Sequence, residues 1–180
     1  MDSFEGVIHF WFDELEPAQW WRADPALDQA IARRFSALHT RAVAEKLVCW
    51  RSEALGRLAE VIVLDQFSRN LFRGSAKAFA MDAQALKLAR EAVALNVPTK
   101  LTAQQKAFLY MPYMHSESSA VQTESVALYG EPGLESSLRS ALQHKAIIDR
   151  FGRYPHRNAI LGRASSPEEL EFLTQPGSSF

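Results

Sequence analysis

Apolar residues recur every three or four positions along most of the chain, which is the spacing of one face of an α-helix. The clearest example is the set Leu27, Ile31, Phe35, Leu38 and Ala42. Asp24 before Pro25 is a helix start, because the carboxylate caps free N–H groups and proline fits the first turn. No stretch alternates with period two for long enough to build a sheet. The pattern therefore predicts an all-α fold.

Start and stop signals divide the chain into about seven helices. Pro112 is expected to break or kink one of them, because proline lacks an N–H and clashes with the preceding turn. The apolar opening at 7–12 is interpreted as a short helix or a packed lead-in. The other expected helices start at Ser52, Ser75, Thr102, Glu117, Leu134 and Ser166, and the one from Leu134 ends at Gly152.

The length of 180 residues allows one well-packed core, and no interior stretch has the composition of a linker. We therefore expect a single domain over 1–180, with frayed termini at 1–6 and 175–180. The formal net charge of −1 gives no field that would attract nucleic acid or a membrane surface. The single cysteine, Cys49, excludes an internal disulfide and favours a cytoplasmic location.

Asp65 is the most unusual polar position, because it continues the core-facing stripe of Leu58 and Val61. A carboxylate in a core must be paired, since the loss of its hydration is costly. Arg69 follows at i+4 in the favourable order, acid before base. Asp82 repeats the pattern on the next helix. The spacing predicts an interior polar network that includes Asp65, Arg69 and Arg73.

Two Arg-Asn pairs, Arg69-Asn70 and Arg157-Asn158, follow apolar segments 88 residues apart. The guanidinium group matches the oxygens of carboxylates and phosphates, and asparagine adds a donor and an acceptor that do not titrate. The stretch 139–163 carries six basic residues against one acid, a local charge of +5. The expected ligand-binding residues are Asp65, Arg69, Asn70, Arg73, Arg153, His156, Arg157 and Asn158.

His115 and Glu117 form the candidate proton-transfer pair, because histidine changes charge near neutral pH. They are two residues apart, so they would not share a face of a regular helix. Glu117 could instead stabilise a helix N-terminus, with His115 as a loop hydrogen-bonding group. The sequence has no HExxH motif and no cysteine pair, so it predicts neither a metal site nor a cofactor.

Several segments in order resemble a single bacterial family. They are HFWF, LDQFSRNLFRG, AFAMD, FLYMPYMHSE, RFGRYPHRNAILGR and SSPEEL. The family is called domain of unknown function 924 and is similar in fold to tetratricopeptide-repeat (TPR) proteins. The resemblance extends from about Val7 to Leu173 and implies a TPR-like array of antiparallel helices. It implies no activity, substrate or catalytic residue.

The leading hypothesis is a pocket for a small anionic molecule, with a carboxylate or phosphate held by arginine, asparagine and histidine side chains. Catalysis at this pocket is left open. One alternative is a TPR-like module that binds a peptide, for instance by its C-terminal carboxylate. The other is a purely structural network in which protein carboxylates and carbonyls occupy every arginine. The pocket requires a concavity lined by aromatic residues, whereas a peptide module requires an open groove.

Overall fold

The computed structural model describes residues 3–180, and within that range every regular element is helical. The nine α-helices are α1 Phe4–His9, α2 Pro25–Val43, α3 Ala54–Ile62, α4 Ser68–Leu71, α5 Asp82–Ala94, α6 Ala103–Met114, α7 Ser119–Tyr129, α8 Glu135–Phe151 and α9 Pro167–Leu173. They form one domain, so the all-α prediction is confirmed. The TPR-like arrangement of the helices stays a prediction.

Two π-helical turns extend the helices beyond these bounds. The turn Phe10–Glu14 continues α1, and the turn Val63–Phe67 joins α3 to α4 without a break. A π-helical turn inserts an extra residue into a helix, and such turns occur often at functional sites. Both turns of this chain carry side chains that line the main cavity described below.

The predicted helix starts that rest on capping chemistry are confirmed at three places. Asp24 accepts hydrogen bonds from the N–H groups of Ala26 and Leu27. Thr102 and Ser166 each form a capping box with the residue three positions later. Gly152 ends α8 with a positive φ of 69°, a conformation that glycine adopts at little cost.

Other predicted boundaries were wrong. Glu53 and not Ser52 precedes α3, and α7 begins at Ser119 rather than Glu117. Ser75 caps a short 3-10 turn, Ala76–Phe79, so α5 starts only at Asp82. The prediction of a frayed N-terminus was also wrong for residues 4–6, because α1 begins at Phe4. Residues 1–2 lie outside the described range.

Pro112 does not break its helix, one of the two outcomes that we expected, but lies inside α6. The missing N–H costs one backbone hydrogen bond. Every residue from 107 to 114 is buried, and the packing of this segment against its neighbours offsets that cost. The helix therefore delivers His115, its C-cap residue, directly to the interior.

The hydrophobic core runs through α1 to α8 and contains large buried side chains such as Trp11, Phe67 and Tyr129. A second, smaller cluster around Ile148 and Tyr154 anchors the segment that follows α8. This segment returns toward α5 and α6 and brings Arg157 next to residues from the first half of the chain. None of the helices that the structure describes is both long and apolar enough to cross a membrane.

Candidate functional site

Asp65 lies in the π-helical turn Val63–Phe67 and is fully buried. Its carboxylate accepts hydrogen bonds from His115 Nδ1 at 2.7 Å, Arg69 Nη1 at 3.2 Å and Gln66 Nε2 at 2.5 Å. Burial alone would raise the pKa of Asp65, but the charge of Arg69 and the contact with His115 hold it well below the usual value. The predicted buried, paired carboxylate is thus present.

Arg69 and Arg157 meet at Asp82, the N-terminal residue of α5. Arg69 Nη1 donates to Asp82 Oδ1 at 2.9 Å, and Arg157 Nη1 donates to Asp82 Oδ2 at 3.2 Å. Both guanidinium groups also face the ring of Phe79, at 4.5 Å for Arg157 and 5.7 Å for Arg69. We call Asp65, Arg69, Asp82, His115 and Arg157 the cavity cluster. Two distant stretches of the chain therefore converge as the sequence predicts.

His115 is held in one tautomer by its partner. A carboxylate only accepts hydrogen bonds, so His115 Nδ1 carries the proton in its contact with Asp65. Burial and the charge of Arg69 lower the pKa of His115, although Asp65 acts in the opposite direction. The imidazole is therefore neutral at pH 7, and its Nε2 lone pair is not used by any hydrogen bond within residues 3–180.

A cavity of about 540 Å³ opens beside this cluster. Its aromatic lining consists of Trp11, Trp20, Trp21, Phe79, Tyr129 and Phe180, and its charged lining of Arg22, Arg69, Arg73 and Arg157. No Asp or Glu of the described residues lines it. The carboxylates that pair with these arginines lie behind them, so the cavity wall itself is cationic and aromatic.

A second cavity of about 400 Å³ reaches the same cluster and shares His115, Arg157 and Phe79 with the first. It differs in charge, because Asp82 and Glu117 are among its lining residues. His115 and Arg157 thus lie between an aromatic, cationic cavity and a more acidic one.

The prediction that Glu117 pairs with His115 was wrong. Glu117 accepts hydrogen bonds from Arg163 at 2.7 and 2.9 Å and from the backbone N–H of Tyr154 at 2.7 Å. Asp65, fifty positions away in sequence, takes the place that we expected Glu117 to fill. Glu117 fastens the segment after α8 to the loop between α6 and α7, which is a structural task.

Arg153 and Asn158 were also expected to bind ligand, but neither lines either of these two cavities. Arg153 makes a two-pronged ion pair with Glu169, with N–O distances of 2.6 and 2.8 Å. Asn158 is fully buried and accepts from Arg163 Nε at 2.9 Å. We call Glu117, Arg153, Asn158, Arg163 and Glu169 the loop cluster. Its members satisfy one another, so the structure places them outside the site.

Asn70 and Arg73 line the edge of the larger cavity and share Asp28 of α2 as a partner. Asn70 Nδ2 donates to Asp28 at 2.8 Å, and Arg73 makes two bonds to the same carboxylate at 2.7 and 2.8 Å. The side chain of Arg73 remains 44% exposed, so it lies at the solvent side of the cavity.

Three comparisons place this chain among known proteins. The family described as bacterial protein of unknown function (DUF924) matches residues 7–177. This chain belongs to that family. A solved structure of a protein of unknown function from Agrobacterium tumefaciens is 35% identical, with a TM-score of 0.90, and the match covers 94% of this chain and 96% of that one. No curated protein matches.

The sequence of this DUF924 protein did not reveal most of the aromatic wall. Trp11 is buried, but Trp21 is 64% exposed and borders the cavity. His144 also lines it and was not considered, since it lies on an ordinary amphipathic helix, α8. Burial lowers the pKa of His144 to about 3 and, together with the charge of Arg157, that of His156 to about 4.

Unpartnered donors are concentrated in this part of the DUF924 fold. Trp11 Nε1, His156 Nδ1 and Arg157 Nε are buried and have no hydrogen-bond partner within residues 3–180, and all three residues line the larger cavity. Buried polar groups are normally satisfied, so each exception calls for a reason. Within residues 3–180 no group of three or more His, Cys, Asp or Glu side chains has the arrangement of a metal site.

Proposed function

We propose that the chain binds a small molecule with an aromatic or apolar body and an anionic head in the larger cavity. The observation that carries this proposal is the composition of the wall: four arginines and six tryptophan, tyrosine and phenylalanine side chains, with no carboxylate among the described lining residues. A volume of about 540 Å³ is in the range of small-molecule sites.

The electrostatics favour an anion through the placement of the charges and not through an excess of positive charge. Four carboxylates, Asp24, Asp28, Asp65 and Asp82, pair with the arginines from behind. With the four lining arginines, the local charge is 4 − 4 = 0. Because the cations face the cavity and the anions do not, an anionic head would contact only the favourable side of these pairs. Low local dielectric strengthens such contacts.

Arg157 is the best candidate for the head-group contact. Its side chain is only 6% exposed, its Nη atoms bond to Asp82 and to the carbonyl of His115, and the buried Nε has no partner among residues 3–180. An arginine in a purely structural network would have all of its buried donors satisfied. The aromatic side chains, with Trp21 at the margin, would cover the apolar body of the ligand.

The partly enclosed, aromatic concavity supports a pocket rather than a peptide groove. A peptide module needs an open surface along which several residues are anchored. The loop cluster agrees with the third alternative, a structural charge network, but only for its own members. The pocket interpretation therefore applies to the arginines of the cavity cluster, and the structural-network interpretation applies to those of the loop cluster.

A binding experiment with phenylacetate and indole-3-acetate tests the proposal, with phenylacetamide as the neutral analogue. In thermal-shift measurements and calorimetry we expect the acids to stabilise the protein and the amide to have little effect. A ligand at a hundred times its dissociation constant adds about 2.7 kcal/mol. If neither acid binds, or the amide binds equally well, the proposal is wrong.

Two adjacent serines of α8 provide a matched pair of variants. Ser137 lines the cavity, whereas Ser136 is exposed to solvent. Ser137→Phe is expected to fill part of the cavity and reduce the affinity for phenylacetate at least tenfold. Ser136→Phe, the same substitution one position away, should leave the affinity unchanged. Equal effects of the two substitutions would contradict a site in this cavity.

A further inference from the structure

We propose that the Asp65–His115 pair makes this cavity hydrolytic, with His115 Nε2 as the general base for the attack of water on a carboxylic ester that carries an anionic group. The inference rests on the proposed binding function and adds a reaction to it. It assigns His115 the catalytic role and Asp65 a positioning role.

The geometry of the pair is that of an oriented base. Asp65 is buried within a helix and contacts His115 Nδ1 at 2.7 Å, which fixes both the tautomer and the direction of the ring. The opposite nitrogen, Nε2, has no partner among residues 3–180 and is not among the buried polar atoms without one. It is therefore accessible from the cavities that His115 lines.

Water is the nucleophile that the surroundings favour. No serine, threonine or cysteine within the described chain forms a hydrogen bond with His115, so a side-chain nucleophile activated in the manner of a serine hydrolase is not in place. The second cavity reaches the same imidazole and is lined by Asp82, Ser116 and Glu117. It offers a polar route for water, while the larger cavity holds the ester.

The reaction balances without any further reagent than water. Nε2 takes a proton from water as the water oxygen bonds to the carbonyl carbon, and the π electrons move onto the carbonyl oxygen. When this intermediate collapses, the bond between carbon and the alcohol oxygen breaks. The imidazolium returns its proton to that oxygen, and a carboxylic acid and an alcohol result.

The arginines of the cavity cluster stabilise the charge that develops on the carbonyl oxygen. Arg157 lines both cavities, as His115 does, and Arg69 lines the larger one. Cationic groups that are fixed before the reaction stabilise such an oxyanion without reorganising. Burial and the charge of Arg69 keep the pKa of His115 below the ordinary value of histidine, although Asp65 and Asp82 act in the opposite direction. The base is thus unprotonated at neutral pH.

Two matched esters test the proposal: mono-4-nitrophenyl glutarate, which is anionic, and 4-nitrophenyl butyrate, which is neutral. We expect the protein to hydrolyse the anionic ester with the higher kcat/KM and phenylacetate to inhibit competitively. The value of kcat/KM should rise with pH through a pKa below 6.5 and then stay level. A rate no greater than that of buffer for both esters would overturn the inference.

His115→Gln is expected to lower kcat by about 10²- to 10⁴-fold, the usual contribution of a general base, while phenylacetate still binds within about threefold of its original affinity. His9→Gln, a change at an exposed position of α1, serves as the control and should have no effect. An H115Q variant that is folded and equally active would refute the role of His115. If H115Q does not fold, the pH profile and the ester preference of the unmodified protein decide.

The role of Asp65 requires a separate readout. Asp65→Asn should lower kcat and leave KM nearly unchanged, and ¹⁵N NMR of the imidazole should show that Nδ1 no longer carries the proton predominantly. Unchanged tautomer populations would contradict a positioning role.

If phenylacetate binds but neither ester is hydrolysed, only the catalytic inference fails. If H115Q abolishes hydrolysis but no acid binds, the binding proposal fails instead.

Discussion

The two Arg-Asn pairs are identical in sequence but differ in their surroundings. Arg69 and Asn70 both line the larger cavity, whereas of the second pair only Arg157 does so. Asn158 turns into the loop cluster, where it holds Arg163. The difference teaches that a dipeptide does not define a binding residue. What distinguishes the arginines is whether the chain itself satisfies their donors.

The loop cluster shows what a satisfied arginine is like. Arg163 donates from Nε to Asn158, from Nη1 to Glu117 and from Nη2 to both Glu117 and the carbonyl of Tyr154. In the cavity cluster Arg157 retains an unpartnered Nε, and the arginines face a wall without carboxylates. We therefore expect substitutions in the loop cluster to change stability alone, and those in the cavity cluster to change stability and binding.

The largest effect is expected from Asp65→Asn. The substitution removes one of the two carboxylates that pair with Arg69, which then keeps only Asp82, and breaking a buried ion pair in this way costs about 3–5 kcal/mol. The midpoint of urea unfolding should fall accordingly. Asp149→Asn is the matched control, because Asp149 pairs with Lys145 at an exposed i,i+4 position. If the midpoint of urea unfolding falls equally in both variants, the buried Asp65 pair does not contribute more to stability than the exposed Asp149 pair, and this prediction is wrong.

A smaller effect on stability, without an effect on binding, is expected from Glu117→Gln. The substitution removes the charge that accepts hydrogen bonds from Arg163 and from the N–H of Tyr154, and it should cost about 1–3 kcal/mol. Calorimetry should find the affinity for phenylacetate unchanged, because Glu117 does not line the larger cavity. A tenfold loss of affinity would show that the two clusters are coupled.

These particular residues also show how far the sequence alone could lead. The cap residues Asp24, Thr102 and Ser166 were predictable because capping depends on the next three residues. Asp65 was predictable because its helical periodicity placed it among apolar neighbours. The partner of His115 was not predictable, because proximity along the chain favoured Glu117 over Asp65, which lies fifty positions away. The π-helical turn that aims Asp65 and the exposure of Trp21 depend on tertiary packing and leave no local signal.

Arg157→Gln should weaken the binding of phenylacetate about tenfold, which corresponds to about 1.4 kcal/mol. Glutamine keeps hydrogen-bonding capacity but loses the charge that an anionic head would contact. Arg150→Gln is the matched control, because Arg150 pairs with Glu168 on the surface, where both side chains are about half exposed. The variants should be compared well below their unfolding midpoints. Equal affinity in Arg157→Gln and the unmodified protein would contradict the assignment of Arg157 to the head group.

The histidines extend the comparison to pH, because His115, His144 and His156 line the larger cavity and the loop cluster contains none. Burial lowers the pKa of His144 to about 3, with His115, His156 and Arg157 acting in the same direction. In the unfolded chain His144 would titrate near 6.5. As the pH falls below that value, the unfolded state binds a proton that the folded state excludes, so the stability that His144 contributes is lost between pH 6.5 and pH 3.

His144→Gln removes this contribution to the pH dependence. Between pH 6.5 and 5.5 the free energy of unfolding of the variant should fall by about 1 kcal/mol less than that of the unmodified protein. Urea titrations at the two pH values measure the difference. Because the comparison is made within each protein, a change in overall stability cancels. If the free energy of unfolding depends on pH in the same way in His144→Gln and in the unmodified protein, His144 becomes protonated in the folded state. Burial and the neighbouring charges would then disfavour the charged imidazole less than the structure indicates.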